Sequence, residues 1–229
     1  MTAHIGMPQT CLLLHGFTGG PYELMPLVRR LEQSGYRCVV PTLPGHGGRL
    51  KELYRFRYTE WVRAAEQEAE TLTERCGAID VVGFSMGGLL AAHVANRYPV
   101  RRMALLNAAV YYFSPLRMLR HIVQLLRSGG VNGMLRDKRD IPVGALIEFT
   151  KLVRALRPEF SRVVVPTFIA QGELDEVVHP LSADYIARRV QGDKTVATYP
   201  QSRHMICFGP DAPLLFRHIE QFFTGKVKG

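Results

Sequence analysis

The chain has 229 residues, 47% hydrophobic and 21% charged, with a formal net charge of +9 and an isoelectric point near 9.7. That length suits one domain, since a single α/β core runs to about 250 residues, and no apolar run reaches the roughly 20 residues that span a bilayer. The basic balance comes without a nucleic-acid recognition motif or an aromatic–basic strand, so it reads as an arginine-rich surface and excludes nucleic acid as the expected partner.

Residues Met1 to Met7 have neither a basic n-region nor an apolar stretch, so a cytoplasmic location is expected. The first strand is expected at Thr10–His15, a short, continuously apolar run. Similar runs follow at Tyr36–Val40, Ala78–Val82, Met103–Leu106, Val163–Ala170 and Thr195–Tyr199. Unbroken rather than alternating apolarity implies strands buried on both faces, as in a parallel sheet. Helical spacing lies between most of them. Leu24, Leu27, Val28 and Leu31 form one stripe, closed by Gly35; Trp61, Ala65, Ala69 and Leu72 form a second; Leu89–Tyr98 is a buried run stopped by Pro99. Leu215, Ile219 and Phe222 give the last helix its inner face. This alternation predicts a mostly parallel, doubly wound α/β sheet with helices on both faces.

One interval departs from the alternation. Residues 111–162 carry two helical stripes and no strand signal: Leu119, Ile122, Val123 and Leu126, then Leu146, Phe149, Val153 and Leu156. Gly129-Gly130 and Asn132-Gly133 punctuate the space between them. Two helices inserted between consecutive strands predict a small helical cap within a single domain spanning 1–229. Ten Arg and Lys residues, from Arg117 to Arg162, face four acids there. They motivate a weak interfacial contact through a basic cap, with an apolar interior for an acyl chain.

Cys11 and Cys38 fall inside strands, and neither they nor Cys76 and Cys207 show CxxC or zinc-ligand spacing. No disulfide, metal or cofactor is expected.

The chemistry concentrates at loops that follow strands. Gly83-Phe84-Ser85-Met86-Gly87-Gly88 is G-x-S-x-G between an apolar strand and a buried helix. The flanking glycines permit a sharp turn that lifts Ser85 clear of the sheet at a helix N-terminus, where the dipole favours developing negative charge. His15-Gly16-Phe17-Thr18-Gly19-Gly20 follows the first strand, so the main-chain N–H groups of Phe17 and Met86 are the candidate oxyanion donors.

A base and an acid complete such a nucleophile, with the acid preceding the base in the chain. Of eight histidines, His204 occupies a loop between the final strand and the final helix. His15 belongs to the oxyanion turn and is expected to brace it; His46, in a turn-rich segment, is expected at the entrance. Three carboxylates compete for the acid: Glu173, Asp175 and Glu176. Asp175 is favoured because Glu173 sits on the bend just after Gly172, whereas Asp175 lies further along the loop.

Taken together, L-L-L-H-G-F-T-G, P-T-L-P-G-H-G, G-F-S-M-G-G, Q-G-E-L-D-E-V-V and Q-S-R-H, spread from about Leu12 to Phe208, resemble the small bacterial carboxylesterases allied to monoacylglycerol lipases. The resemblance implies a compact α/β-hydrolase fold, with Ser85, Asp175 and His204 as triad and Phe17 and Met86 as oxyanion hole. It also implies cofactor-free hydrolysis of small-molecule carboxylic esters, short- to medium-chain or monoacylglycerol-like. The pattern departs at Arg203, where glycine is common, which puts a cation beside the base. An acyl thioesterase, or a non-catalytic receptor retaining the fold, are the alternatives.

Overall fold

The computed structural model describes residues 8–111 and 141–225. Among these residues the centre is a six-stranded, wholly parallel sheet in the order β2-β1-β3-β4-β5-β6. The strands are β1 Thr10–Leu14, β2 Arg37–Val39, β3 Ile79–Phe84, β4 Val100–Leu106, β5 Thr167–Gly172 and β6 Lys194–Tyr199. The helices between them are α1 Met25–Gln33, α2 Tyr58–Cys76, α3 Met86–Ala95, α4 Val143–Leu156, α5 Leu181–Arg189 and α6 Ala212–Thr224.

Successive strand side chains point to opposite faces, and each strand therefore feeds two cores. Cys11, Leu13, Val82, Phe84, Ala104, Leu106, Phe168 and Ala170 pack on one face, against Leu27, Val28 and Leu31 of α1 and Leu215, Ile219 and Phe223 of α6. Leu12, Leu14, Val81, Met103, Leu105 and Ile169 pack on the other, against α2, α3, α4 and α5. The second stripe read from the sequence, Trp61, Ala65, Ala69 and Leu72, is buried throughout on α2.

Several details differ from the expected ones, and β4 for instance begins at Val100 rather than Met103. β5 begins at Thr167 rather than Val163, because Pro166 has no N–H to give to the ladder. The residues before it serve a different purpose, as the Val163 carbonyl accepts from the N–H groups of Gln191 and Gly192. α3 ends at Ala95, three residues before Tyr98. On α6 the fully buried residue is Phe223, while Phe222 is only half-buried, because the stripe follows the four-residue step from Leu215 through Ile219.

The second helix expected between β4 and β5 is α4. It buries Phe149, Leu152, Val153 and Leu156 against α2 and α3. The first stripe, Leu119 to Leu126, lies outside the described residues, as do the glycine pairs that follow it and the basic residues Arg117 to Arg139.

The strand order places the site. From β1 the chain runs outward to β2, then returns across β1 to β3 and continues in one direction to β6. The reversal opens a crevice at the carboxyl ends of β1 and β3, the position where ligands enter open parallel sheets. The loop bearing Phe17 leaves β1 there, and the turn bearing Ser85 leaves β3 beside it.

Candidate active site

Ser85 sits between the last residue of β3 and the first of α3, at φ 53° and ψ −116°. A non-glycine residue held there costs about 1–3 kcal/mol and persists only when its surroundings hold it. They do so through three main-chain hydrogen bonds. The Ser85 N–H donates to Leu106 O at 2.9 Å, and its carbonyl accepts from Gly88 N at 3.0 Å and Ala109 N at 3.1 Å. The turn is too tight for side chains on either side. A Cβ at Gly83 would stand 2.3 Å from Gly87 O, and one at Gly87 would stand 2.0 Å from Leu14 O. The turn bearing Ser85 is thereby wedged against the end of β1.

His204 lies in the loop after β6, with its ring centroid 5.0 Å from that of Phe84, the residue before Ser85. Its Nδ1 is 2.9 Å from Asp175 Oδ2. The other carboxylate oxygen, Oδ1, accepts the N–H groups of Val177 and Val178, both at 2.8 Å. Both oxygens of Asp175 are thus engaged and its side chain is fully buried, so the imidazole meets a carboxylate that cannot swing away. Of the three competing acids, Asp175 alone is brought to His204 in this way. Glu173 is exposed, and Glu176 stands 3.9 Å from the guanidinium of Arg203. Burial works to lower the His204 pKa, but the charge and hydrogen bond of Asp175, with smaller contributions from Glu23 and Glu176, outweigh it and raise it above the ordinary histidine value.

The Ser85 hydroxyl makes no hydrogen bond to a described residue, and the N–H groups of Phe17 and Met86 donate to none. Catalytic hydrogen bonds in ligand-free sites often tighten only when substrate binds. Phe17 itself is anchored from above: its ring stacks on Phe149 of α4 with centroids 4.8 Å apart and planes 15° apart. His15 braces the same loop. Burial lowers its pKa to about 4, so it is neutral; Nδ1 lies 2.9 Å from Gly16 O, and Nε2 accepts from Leu43 N at 3.0 Å. His46 is buried between His15 and Trp61 rather than exposed at an entrance. His93 pairs with Glu66 at 2.7 Å, on the helix behind the site.

Two residues at the site escaped the sequence reading. Asn107, directly after β4, is completely buried and left-handed at φ 45°. Its Nδ2 donates to Arg203 O at 3.1 Å and His204 O at 2.9 Å, and its Oδ1 accepts from Gly172 N at 2.8 Å. One side chain thus ties the loop of His204 to the strand end that leads to Asp175. The available signal was an amide closing the unbroken apolar run Met103–Leu106. Glu23 is the other, a buried carboxylate whose Oε2 accepts Gly16 N–H at 2.9 Å. The left-handed non-glycine residues among those described are Thr18, Ser85 and Asn107, which follow β1, β3 and β4 at one edge of the sheet.

Among the described residues no group of three or more His, Cys, Asp or Glu side chains is arranged to hold a metal ion, and no helix is long and apolar enough to cross a membrane.

The family model described as alpha/beta hydrolase family matches residues 11–216. A thermostable monoacylglycerol lipase of Bacillus sp. (strain H-257) is 29% identical over 95% of this chain and 91% of its own length. A carboxylesterase of Bacillus subtilis (strain 168) is 25% identical over 95% and 93%. Among solved structures, one described for the metagenome-derived lipolytic enzymes LipS and LipT superposes with a TM-score of 0.82 at 23% identity, covering 97% of this chain and 96% of that one. The monoacylglycerol lipase of Paleococcus ferrophilus gives 0.74 at 17% identity, covering 96% of each chain. At such identities these superpositions speak for the fold.

Proposed function

The chain belongs to the alpha/beta hydrolase family, and from that premise we propose that it is a serine hydrolase of carboxylic esters with Ser85 as nucleophile, His204 as general base and Asp175 as its orienting acid. One observation carries the assignment of roles: the buried Asp175–His204 hydrogen bond of 2.9 Å, at the sheet edge where Ser85 is lifted on its strained turn. The imidazole accepts the hydroxyl proton at Nε2 as Ser85 Oγ attacks the acyl carbon. Asp175 holds the tautomer with the proton on Nδ1 and stabilises the imidazolium that results. The main-chain N–H groups of Phe17 and Met86 receive the oxyanion, and the first turn of α3 adds its dipole. His204 then returns the proton to the leaving alcohol, and water releases the acyl group by the same route.

The relatives named as monoacylglycerol lipase and carboxylesterase support esters of glycerol or simple alcohols as the substrate class. A cytoplasmic location fits the four free cysteines. A weak contact between the basic cap and anionic interfaces is supported by the exposed Lys151, Arg154, Arg157 and Arg162.

The test is turnover of p-nitrophenyl esters of graded chain length and of monoacylglycerols, with acyl-CoA thioesters beside them. Ser85→Ala is expected to lose about 10⁶-fold in kcat with an unchanged melting profile. A folded Ser85→Ala protein that keeps a large share of wild-type turnover removes the assignment. A wild type that takes no fluorophosphonate label and cleaves no ester removes the function.

A further inference from the structure

The proposed triad leaves unused a second carboxylate enclosed in the same site. Glu23 ends the short turn Pro21–Glu23 and is 7% exposed. Its Oε2 accepts the N–H of Gly16, the residue just before the oxyanion donor Phe17. A carbon added at Gly16 would stand 3.2 Å from that oxygen and 3.3 Å from Ser85 Cβ, so carboxylate and nucleophile face each other across one glycine. At Gly19 an added carbon would fall 2.0 to 2.2 Å from all three carboxylate atoms: the oxyanion loop is folded around this group closely enough to exclude any side chain. A solvent-facing or incidental glutamate does not require such a wrapping.

Among the described residues, the charged groups that act on His204 are few. Asp175 is hydrogen-bonded to it, Glu176 acts on it from the same loop with Arg203 3.9 Å away, and Glu23 acts on it from the β1 side. His15, which braces the opposite face of Gly16, is neutral. Cys207 and Tyr22 also feel the Glu23 charge, and burial pushes both up well beyond the range in which they ionise at neutral pH.

We propose that Glu23 is a positioning residue with two effects: its carboxylate holds the His15–Gly16 peptide, and with it the loop that keeps the next N–H, that of Phe17, aimed at the oxyanion, and its charge steadies the imidazolium that His204 becomes as Ser85 attacks. The inference rests on the roles assigned above to Ser85, His204 and Phe17. A carboxylate near a developing oxyanion also repels it, and the Gly16 N–H absorbs part of that charge. The two effects oppose each other, so substitution reads their balance.

Glu23→Gln keeps an oxygen for Gly16 N–H and removes the charge; Glu23→Ala removes both. In the glutamine variant the acid limb of kcat/KM is expected to move to lower pH by several tenths of a unit, with kcat falling about three- to tenfold and KM little changed. In the alanine variant kcat is expected to fall about 10²-fold, the scale of a lost oxyanion donor. Melting curves and fluorophosphonate titration count the folded, competent sites, so each kcat is expressed per working site. A glutamine variant whose pH limb coincides with wild type, or whose kcat per site rises or falls as far as that of alanine, overturns the proposal. Wild type and Ser85→Ala are assayed alongside. An active wild type with indifferent Glu23 variants removes this inference alone, whereas a wild type inactive on esters removes the reading of the site and this inference with it.

Discussion

Removing the Asn107 amide should unfasten the base without touching any of the reacting atoms. In Asn107→Ala three hydrogen bonds disappear, leaving Gly172 N–H buried without its partner, Arg203 O partly so, and His204 O with its bond from Ile206 N–H alone. A stranded buried main-chain group costs about 1–3 kcal/mol, and an alanine forced into the left-handed region costs roughly 1 more. The sum is about 2–4 kcal/mol, which for a chain of this size lowers the melting temperature by roughly 4–16 °C. The loop of His204 would then be set by weaker contacts, and a misplacement of about 1 Å costs on the order of 10² in rate. Asn107→Gly isolates the backbone term, because it loses the same bonds but accepts φ 45°, and it should melt a few degrees above the alanine variant. Thermal melts followed by circular dichroism, with kcat measured on the folded fraction, decide the matter. If Asn107→Ala melts within about 2 °C of wild type and keeps most of its kcat, the amide is not the tie described here.

Asp175→Asn is expected to lower kcat by about 10⁴-fold, since an amide fails to hold the imidazole tautomer. The exposed Glu173→Gln should change it less than about tenfold, as expected for a surface charge; steady-state kinetics showing the reverse order would assign the acid to Glu173. The pH dependence has a definite sign. His204 must be neutral to accept a proton, and its pKa is raised by the Asp175 charge against the effect of burial, so kcat/KM should climb with pH through a limb on the alkaline side of 6.5. The same shift makes protonated His204 stabilising: that contribution is fully present below the unfolded value and is lost as pH rises through the folded one. A limb below 6.5, or the His204 resonances titrating there by NMR, would contradict the electrostatics of the pair.

What was legible in the sequence follows from the kind of contact involved. Strands buried on both faces write themselves as unbroken apolar runs, and all six strands overlap the expected runs, although β5 starts late after Pro166, β4 starts three residues early at Val100, and the edge strands β2 and β6 are exposed or half-buried along most of their length. The candidate site residues that the structure brings to one sheet edge were legible because each belongs to a short local pattern: glycines around Ser85, a strand-to-helix loop around His204, an acid after β5. Asn107 and Glu23 were not, since each acts through a partner that no periodicity marks. The amide reaches Gly172, Arg203 and His204 across the fold, and the carboxylate reaches back around a turn to Gly16. The choice of Asp175 over its neighbours rested on loop position, and the spatial reason became visible only with the two N–H groups that clamp its second oxygen.

The three left-handed residues at the sheet edge, Thr18, Ser85 and Asn107, have a consequence for laboratory evolution. Glycine relieves that backbone conformation by about 1 kcal/mol per position. At Asn107 the lost hydrogen bonds outweigh the relief, but the Ser85 and Thr18 side chains, though buried, make no hydrogen bond to a described residue that would oppose it. A library selected on heat resistance alone will therefore be drawn to those two codons, deleting the nucleophile at one and slackening the turn beside Phe17 at the other. Its winners would be hardy and inert. Holding both codons fixed keeps selection for durability from becoming selection against turnover.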